Sequence, residues 1–280
     1  MGAPMACNLL KNKFEVVAFD LNIEAVKFMQ EQGAVAASSA VDAVKNADVI
    51  ITMLQKGEQV KQCCQAFFPN IKAGALYLDC STIDVETSRE LHKKAQEQQI
   101  AMLDAPVSGG VAAATAGTLT FMVGGTAQDF AKAEPILNTM GKKIILAGSA
   151  GAGAAAKICN NMLLAISMIG VSEAFVLAEK LGLEPQKLYE ISANASGQCW
   201  SLTSYCPYPG ILPNVPSSHD YKAGFTAAMM LKDLNLSAQA AEFVGANTPL
   251  GKAAQELYLQ FVKNFDSELD FSGIIRMLQL

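Results

Sequence analysis

Lys157 and Asn161 stand four residues apart in the run "GAAAKICNNMLLAISMIGVSEAFVLAEKL". On a helix that spacing puts both on one face, one turn from each other. A buried lysine can carry a lowered pKa and exchange a proton with a substrate hydroxyl, and an amide one turn on can hold the same oxygen. The same residues also suit a lysine that snorkels from a helix end among polar neighbours, so both readings stand on the residues alone. A second constellation lies in "DAPVSGGVAAATAGTLTFMVGG", where a strand end opens into Ser108, Gly109 and Gly110. The N–H groups and hydroxyl of such a turn can bind a carboxylate, although a plain glycine-rich turn has the same appearance. Asp20 closes "VVAFD". An acidic residue at a strand end can hydrogen-bond the ribose hydroxyls of a dinucleotide, or serve as a turn residue or helix cap. Lys232 and Asp233 follow Phe225 on a later helical stretch, a pair that is ordinarily solvated but able to reach toward a cleft.

The elements that must position these residues change character midway along the chain. In the first half, short apolar runs read as strands: residues 14–20, 48–54, 75–81, 100–106, 119–125 and 142–148. Between them "NIEAVKFMQEQG", "VDAVKN" and "VETSRELHKKAQEQ" carry apolar residues at helical spacing. The alternation predicts a Rossmann-type, doubly wound α/β sheet, mostly parallel and covered on both faces. Gly2 opens the first helix; if it is the third glycine of G-x-G-x-x-G, the first strand and the other two glycines lie upstream of residue 1. A chain that starts with a short helix would read the same way. Residues 1–152 are therefore expected to form a dinucleotide-binding domain. Residues 153–280 are expected to form an all-α domain, entered through one long interdomain helix that is apolar nearly all round. Further helices are expected over 185–193, 226–243 and 249–264, with an irregular loop over 199–224.

Composition narrows the function classes. The chain of 280 residues has a net charge of −5 and no cluster of Lys and Arg, which argues against a nucleic-acid partner and for a small-molecule one. Seven cysteines in no paired CxxC spacing, with only His92 and His219 to join them, read as reduced thiols of a cytoplasm-like compartment and not as a metal site. The apolar run 158–171 is interrupted by Asn160 and Asn161 and reads as too short for a membrane span, and no signal peptide is apparent.

Together "DAPVSGG" with "GTLTFMVGG", "GAGAAAKICNNMLLAISMIG", "SGQCWS" with "PGI", and "MMLKDLNLS" resemble the β-hydroxyacid dehydrogenase family over essentially the whole chain. The resemblance implies that Lys157 is the catalytic lysine, that Asn161 helps to hold the substrate, and that Ser108, Gly109 and Gly110 bind its carboxylate. It further implies that Gly2, Asp20, Leu54, Gln55, Gln59, Thr82, Phe225 and Lys232 serve the cofactor, NAD, with Asp20 selecting against NADP. Gln55 stands where the family usually has Pro, and Gln59 where Asn is common. The implied reaction is oxidation of 3-hydroxyisobutyrate to its semialdehyde, a step of valine breakdown, with no metal. Implied too are a homodimer or homotetramer and a cytoplasmic location, or the mitochondrial matrix in a eukaryote. Phosphogluconate dehydrogenases carry a His three residues after the lysine, where this chain has Asn160. Reductases of glyoxylate, succinic semialdehyde or tartronate semialdehyde share the Lys and Asn, and a non-catalytic relic or scaffold is the alternative from another class.

Overall fold

Side chains at helix starts set much of the local order in the first half. Asn22, Ser39, Asp84 and Thr126 each accept a hydrogen bond from a first-turn N–H, which stops the helix there and satisfies a donor with no partner inside it. The structure, a computed structural model, describes all of residues 1–280 and divides into two units, Met1–Lys157 and Ile158–Leu280. The first contains α1 (Gly2–Lys11), β1 (Val17–Ala18), α2 (Ile23–Glu31), β2 (Val35–Ala36), α3 (Ala40–Val44), β3 (Val49–Thr52), α4 (Gly57–Phe67) and β4 (Leu76–Asp79). It continues with α5 (Val85–Glu97), β5 (Ala101–Asp104), β6 (Val107–Ser108), α6 (Gly110–Ala116), β7 (Leu119–Gly124), α7 (Ala127–Leu137) and β8 (Gly141–Gly148). The long helix α8 (Ala152–Lys180) begins in this unit and runs on into the second.

β3, β4 and β5 are parallel neighbours, β7 lies antiparallel to β5, and β7 carries β6 antiparallel and β8 parallel. Both faces of this sheet are covered. Along β4, Leu76 and Leu78 join a cluster with Leu103, Phe121, Leu137 and Met140, while Tyr77 between them joins Val60, Phe67, Leu91 and Met102 on the other side. That explains why these strands read as continuous apolar runs.

Three expectations need correction. The strand expected over 14–20 shrinks to β1, which pairs only with β2 in a separate two-stranded sheet, so β1 and β3 each form a sheet edge. Phe14, Val17 and Phe19 are accordingly exposed. The short strands β2 and β6 and the helices α4, α6 and α7 were not expected. A two-residue strand has no period, and "VAAATA" gives α6 no polar face to mark it. Finally, α8 is long and apolar enough, by length and composition, to cross a membrane, contrary to the shorter run expected.

The second unit is all helical: the remainder of α8, α9 (Pro185–Ser192), α10 (Trp200–Thr203), α11 (Ala227–Val244), α12 (Pro249–Asn264) and α13 (Ile274–Leu278). Ala165, Met168 and Ile169 of α8 pack against Met230 and Leu234 of α11 and Tyr258 and Phe261 of α12, so that face of α8 is core. The segment expected to be an irregular loop holds α10 and a 3₁₀ turn over Pro216–Ser218. It is tied down by Ser217 Oγ donating to Cys206 O and Tyr221 Oη donating to Pro207 O. All seven cysteines are free thiols.

Candidate active site

In the first unit, β6 ends at Ser108, paired across to Thr120 of β7, and the chain turns through Gly109 at φ +129° and Gly110 at φ +67°. A Cβ on Gly109 would stand 2.5 Å from that of Ala113, so both conformation and space call for glycine. Helix α6 starts at Gly110, which aims its first N–H groups back at the turn. Asn8 of α1 steadies α6 by donating to Ala114 O at 2.6 Å. Lys157 lies in the second turn of α8 and is 8% exposed. Its side chain is therefore buried and does not reach out to solvent.

Asn161, one turn further along α8, is buried in the second unit with Asp233 of α11. Its Nδ2 donates to Asp233 Oδ2 at 2.5 Å, and its Oδ1 accepts from Asn160 Nδ2 at 3.0 Å. The other Asp233 oxygen faces Lys232 Nζ at 3.2 Å. Asp233 is thus buried between an amide and an ammonium, not solvated. Phe225, just before α11, packs edge-on against Phe271 and is held by its own N–H, which donates to the buried Asp270.

The remaining expected residues gather at strand ends of the first unit. Leu54 follows β3, and its N–H donates to Ser81 Oγ at 2.9 Å, joining it to the loop after β4 that carries Thr82. Gln59 Oε1 accepts from the N–H groups of Gln55 and Lys56 at 3.2 and 3.1 Å, so this side chain caps the start of α4. The N-terminus of α1 has no side-chain cap, and a Cβ on Gly2 would lie 3.7 Å from that of Met53, beside Leu54. Asp20, exposed two residues past β1, accepts from Asn22 N at 2.8 Å, which makes it a turn residue with a second carboxylate oxygen to offer. Beneath these loops Asp79 Oδ1 accepts from Thr52 Oγ1 at 2.8 Å and Ser81 N at 3.1 Å. Burial pushes its carboxyl up to about 6.

Residues 1–148 match the family model described as the NAD binding domain of 6-phosphogluconate dehydrogenase. Residues 151–278 match the one described as NAD-binding of NADP-dependent 3-hydroxyisobutyrate dehydrogenase. Among curated relatives, the 3-hydroxyisobutyrate dehydrogenase of Pseudomonas aeruginosa is 45% identical over 282 residues, spanning 99% of this chain and 95% of its own length. The chain belongs to the 3-hydroxyisobutyrate dehydrogenase family. Within it, the NAD-dependent L-serine dehydrogenase of Pseudomonas aeruginosa is 47% identical over 280 residues, covering 99% of this chain and 94% of its own. The solved Mycobacterium tuberculosis 3-hydroxyisobutyrate dehydrogenase, described with L-serine, superposes with a TM-score of 0.97 at 45% identity, covering 100% and 96% of the two chains.

Members of the family are NAD-binding oxidoreductases, and NAD is the cofactor of this chain. The residues present fit a dinucleotide: an uncapped helix N-terminus at Gly2 abuts the end of β3, and parallel β3 and β4 deliver Leu54, Gln55 and Thr82 to the same edge. Sequence reading passed over Asp79 and Asp104 at strand ends and left Asp233 without a role. The one available signal was an acidic residue closing an apolar strand, which Asp20 shares with any turn.

Proposed function

We propose that this chain oxidises 3-hydroxyisobutyrate to methylmalonate semialdehyde with NAD, a step of valine breakdown in a reducing, cytoplasm-like compartment. The observation that carries the reading is Lys157, buried near the start of α8 in the same unit as a Ser108–Gly110 turn built on two successive positive-φ glycines. In this reading the substrate carboxylate accepts hydrogen bonds from Ser108 Oγ and the N–H groups of Gly109 and Gly110. The primary hydroxyl meets Lys157, whose amine takes its proton as the carbinol carbon gives up a hydride and becomes an aldehyde. Bound NAD supplies the acceptor for that hydride. As the proton moves and before the hydride has left, the ammonium being formed stabilises the negative charge developing on the oxygen, which leaves no need for a metal. The Asn161 amide keeps one hydrogen that it does not give to Asp233.

Asp20 supports NAD over NADP, since a 2′-phosphate beside an exposed carboxylate would be repelled. A homodimer or homotetramer belongs to the same proposal. Leu163, Ser167, Gly170, Ala174 and Leu177 recur at three- and four-residue spacing on the outward side of α8, with Leu181 just past its end, and all but Ser167 are exposed. Small residues in the middle of such a stripe allow another helix to approach closely.

L-Serine is a second reading, favoured by the relative that carries that activity in its name and by the solved structure described with L-serine. It has the same carboxylate and primary hydroxyl, so Ser108 and Lys157 would treat it alike. Steady-state oxidation of both compounds with NAD separates them. A higher kcat/KM for 3-hydroxyisobutyrate is expected, and the reverse order would replace it with L-serine.

A further inference from the structure

Asp104 closes β5 and is 2% exposed. Its Oδ2 accepts from Ala154 N at 2.8 Å, in the first turn of α8, and its Oδ1 from Gly151 N at 2.9 Å, just before that helix. His92 Nε2, on α5, completes the set at 2.8 Å from Oδ1. The space is tight. A Cβ on Gly124, the residue paired with Asp104 across β7, would stand 2.5 Å from Oδ1, and one on Gly153 would stand 2.6 Å from Asp104 O. Burial pushes the Asp104 carboxyl up, but the His92 hydrogen bond and the N–H groups of Ala154 and Gly151 outweigh it and hold it below the ordinary carboxylate range. An ionised carboxylate at the positive end of a helix is the favoured charge there.

Its place in the chain is informative. Lys157 follows Ala154 by one turn, and Ser108 follows Asp104 by four residues. We propose that Asp104 is a positioning residue: by pinning the first turn of α8 to the end of β5, it sets Lys157 in register with the Ser108–Gly110 turn. This rests on the roles given above to Lys157 and that turn. The chemistry makes the register matter, because one substrate must present its carboxylate to the turn and its hydroxyl to the lysine at once. A displacement of about 1 Å at a reacting group can cost about a hundredfold in rate.

Asp104→Asn keeps the shape and one acceptor but sets an NH₂ donor against backbone N–H or imidazole. In the full chain it should lower kcat about 10- to 100-fold while leaving the NAD dissociation constant within about twofold of wild type. Amide hydrogen exchange over residues 151–157 should be at least about tenfold faster. Gly153→Ala, which displaces α8 while the carboxylate stays, should give the same split between kcat and NAD affinity, and it decides the matter if Asp104→Asn does not fold. Unchanged kcat, unchanged exchange, or equal loss of kcat and NAD affinity would each overturn the inference. If the wild-type chain oxidises neither 3-hydroxyisobutyrate nor L-serine, the functional reading fails by itself, and exchange over 151–157 still decides whether Asp104 anchors α8.

Discussion

At the scale of single residues, Lys157 carries the largest expected effect. Lys157→Ala removes the proton acceptor placed beside the hydroxyl, so kcat should drop at least about a hundredfold, the lower end for an acid–base group, with NAD affinity retained by fluorescence titration. Retained turnover would take Lys157 out of the reaction. Asp79 gives a different kind of expectation. Its carboxyl, raised to about 6 by burial, binds a proton more tightly in the folded chain than in the unfolded one, where about 3.9 is ordinary. Its contribution to stability is therefore greatest at low pH and is lost as pH rises from about 4 through 6, a fall on the order of 3 kcal/mol. Asp79→Asn keeps an acceptor for Thr52 and Ser81, so it should melt higher than wild type at pH 7–8 with the gap closing toward pH 4. Parallel melting curves for the two proteins across that range would count against the buried charge.

At the scale of elements, the turn from β6 into α6 is the most demanding. Gly109→Ala forces a side chain into a left-handed conformation and against Ala113, a strain of about 1–3 kcal/mol that moves the carboxylate-binding N–H groups. The KM for the hydroxy acid should rise about tenfold, with NAD affinity unchanged because its strand ends lie elsewhere. Equal losses for both ligands would mean that the turn serves the sheet and not the substrate. The long helices and parallel strands were legible because apolar residues recurred along them over many positions. A two-residue strand such as β2 was not, since it has no period, and α4 was passed over although Val60, Cys64 and Phe67 recur in it at helical spacing. Gln59 carries the same lesson: its side chain closes a helix start, which only the backbone geometry reveals.

At the scale of the whole molecule, the outward stripe of α8 carries the expectation of self-association. Replacing Leu163 and Leu177 by Glu sets charges on a face that would be dry between copies, so light scattering should change from a multimer to a monomer while each chain stays folded by circular dichroism. A wild-type chain that is already monomeric at micromolar concentration would remove the proposal.

Sequence by itself determined the change from α/β to all-α, because periodicity is a local property, and it offered Lys157, Asn161 and the Ser108–Gly110 turn as candidates whose roles came from the family resemblance. Tertiary structure alone decided the partners. It joined Asp233 to Asn161 across 72 positions and Asp104 to Ala154 across 50, and it divided one expected sheet into two. Those outcomes depend on which buried polar groups find one another once the chain has packed, and a buried carboxylate is stable only where such donors converge.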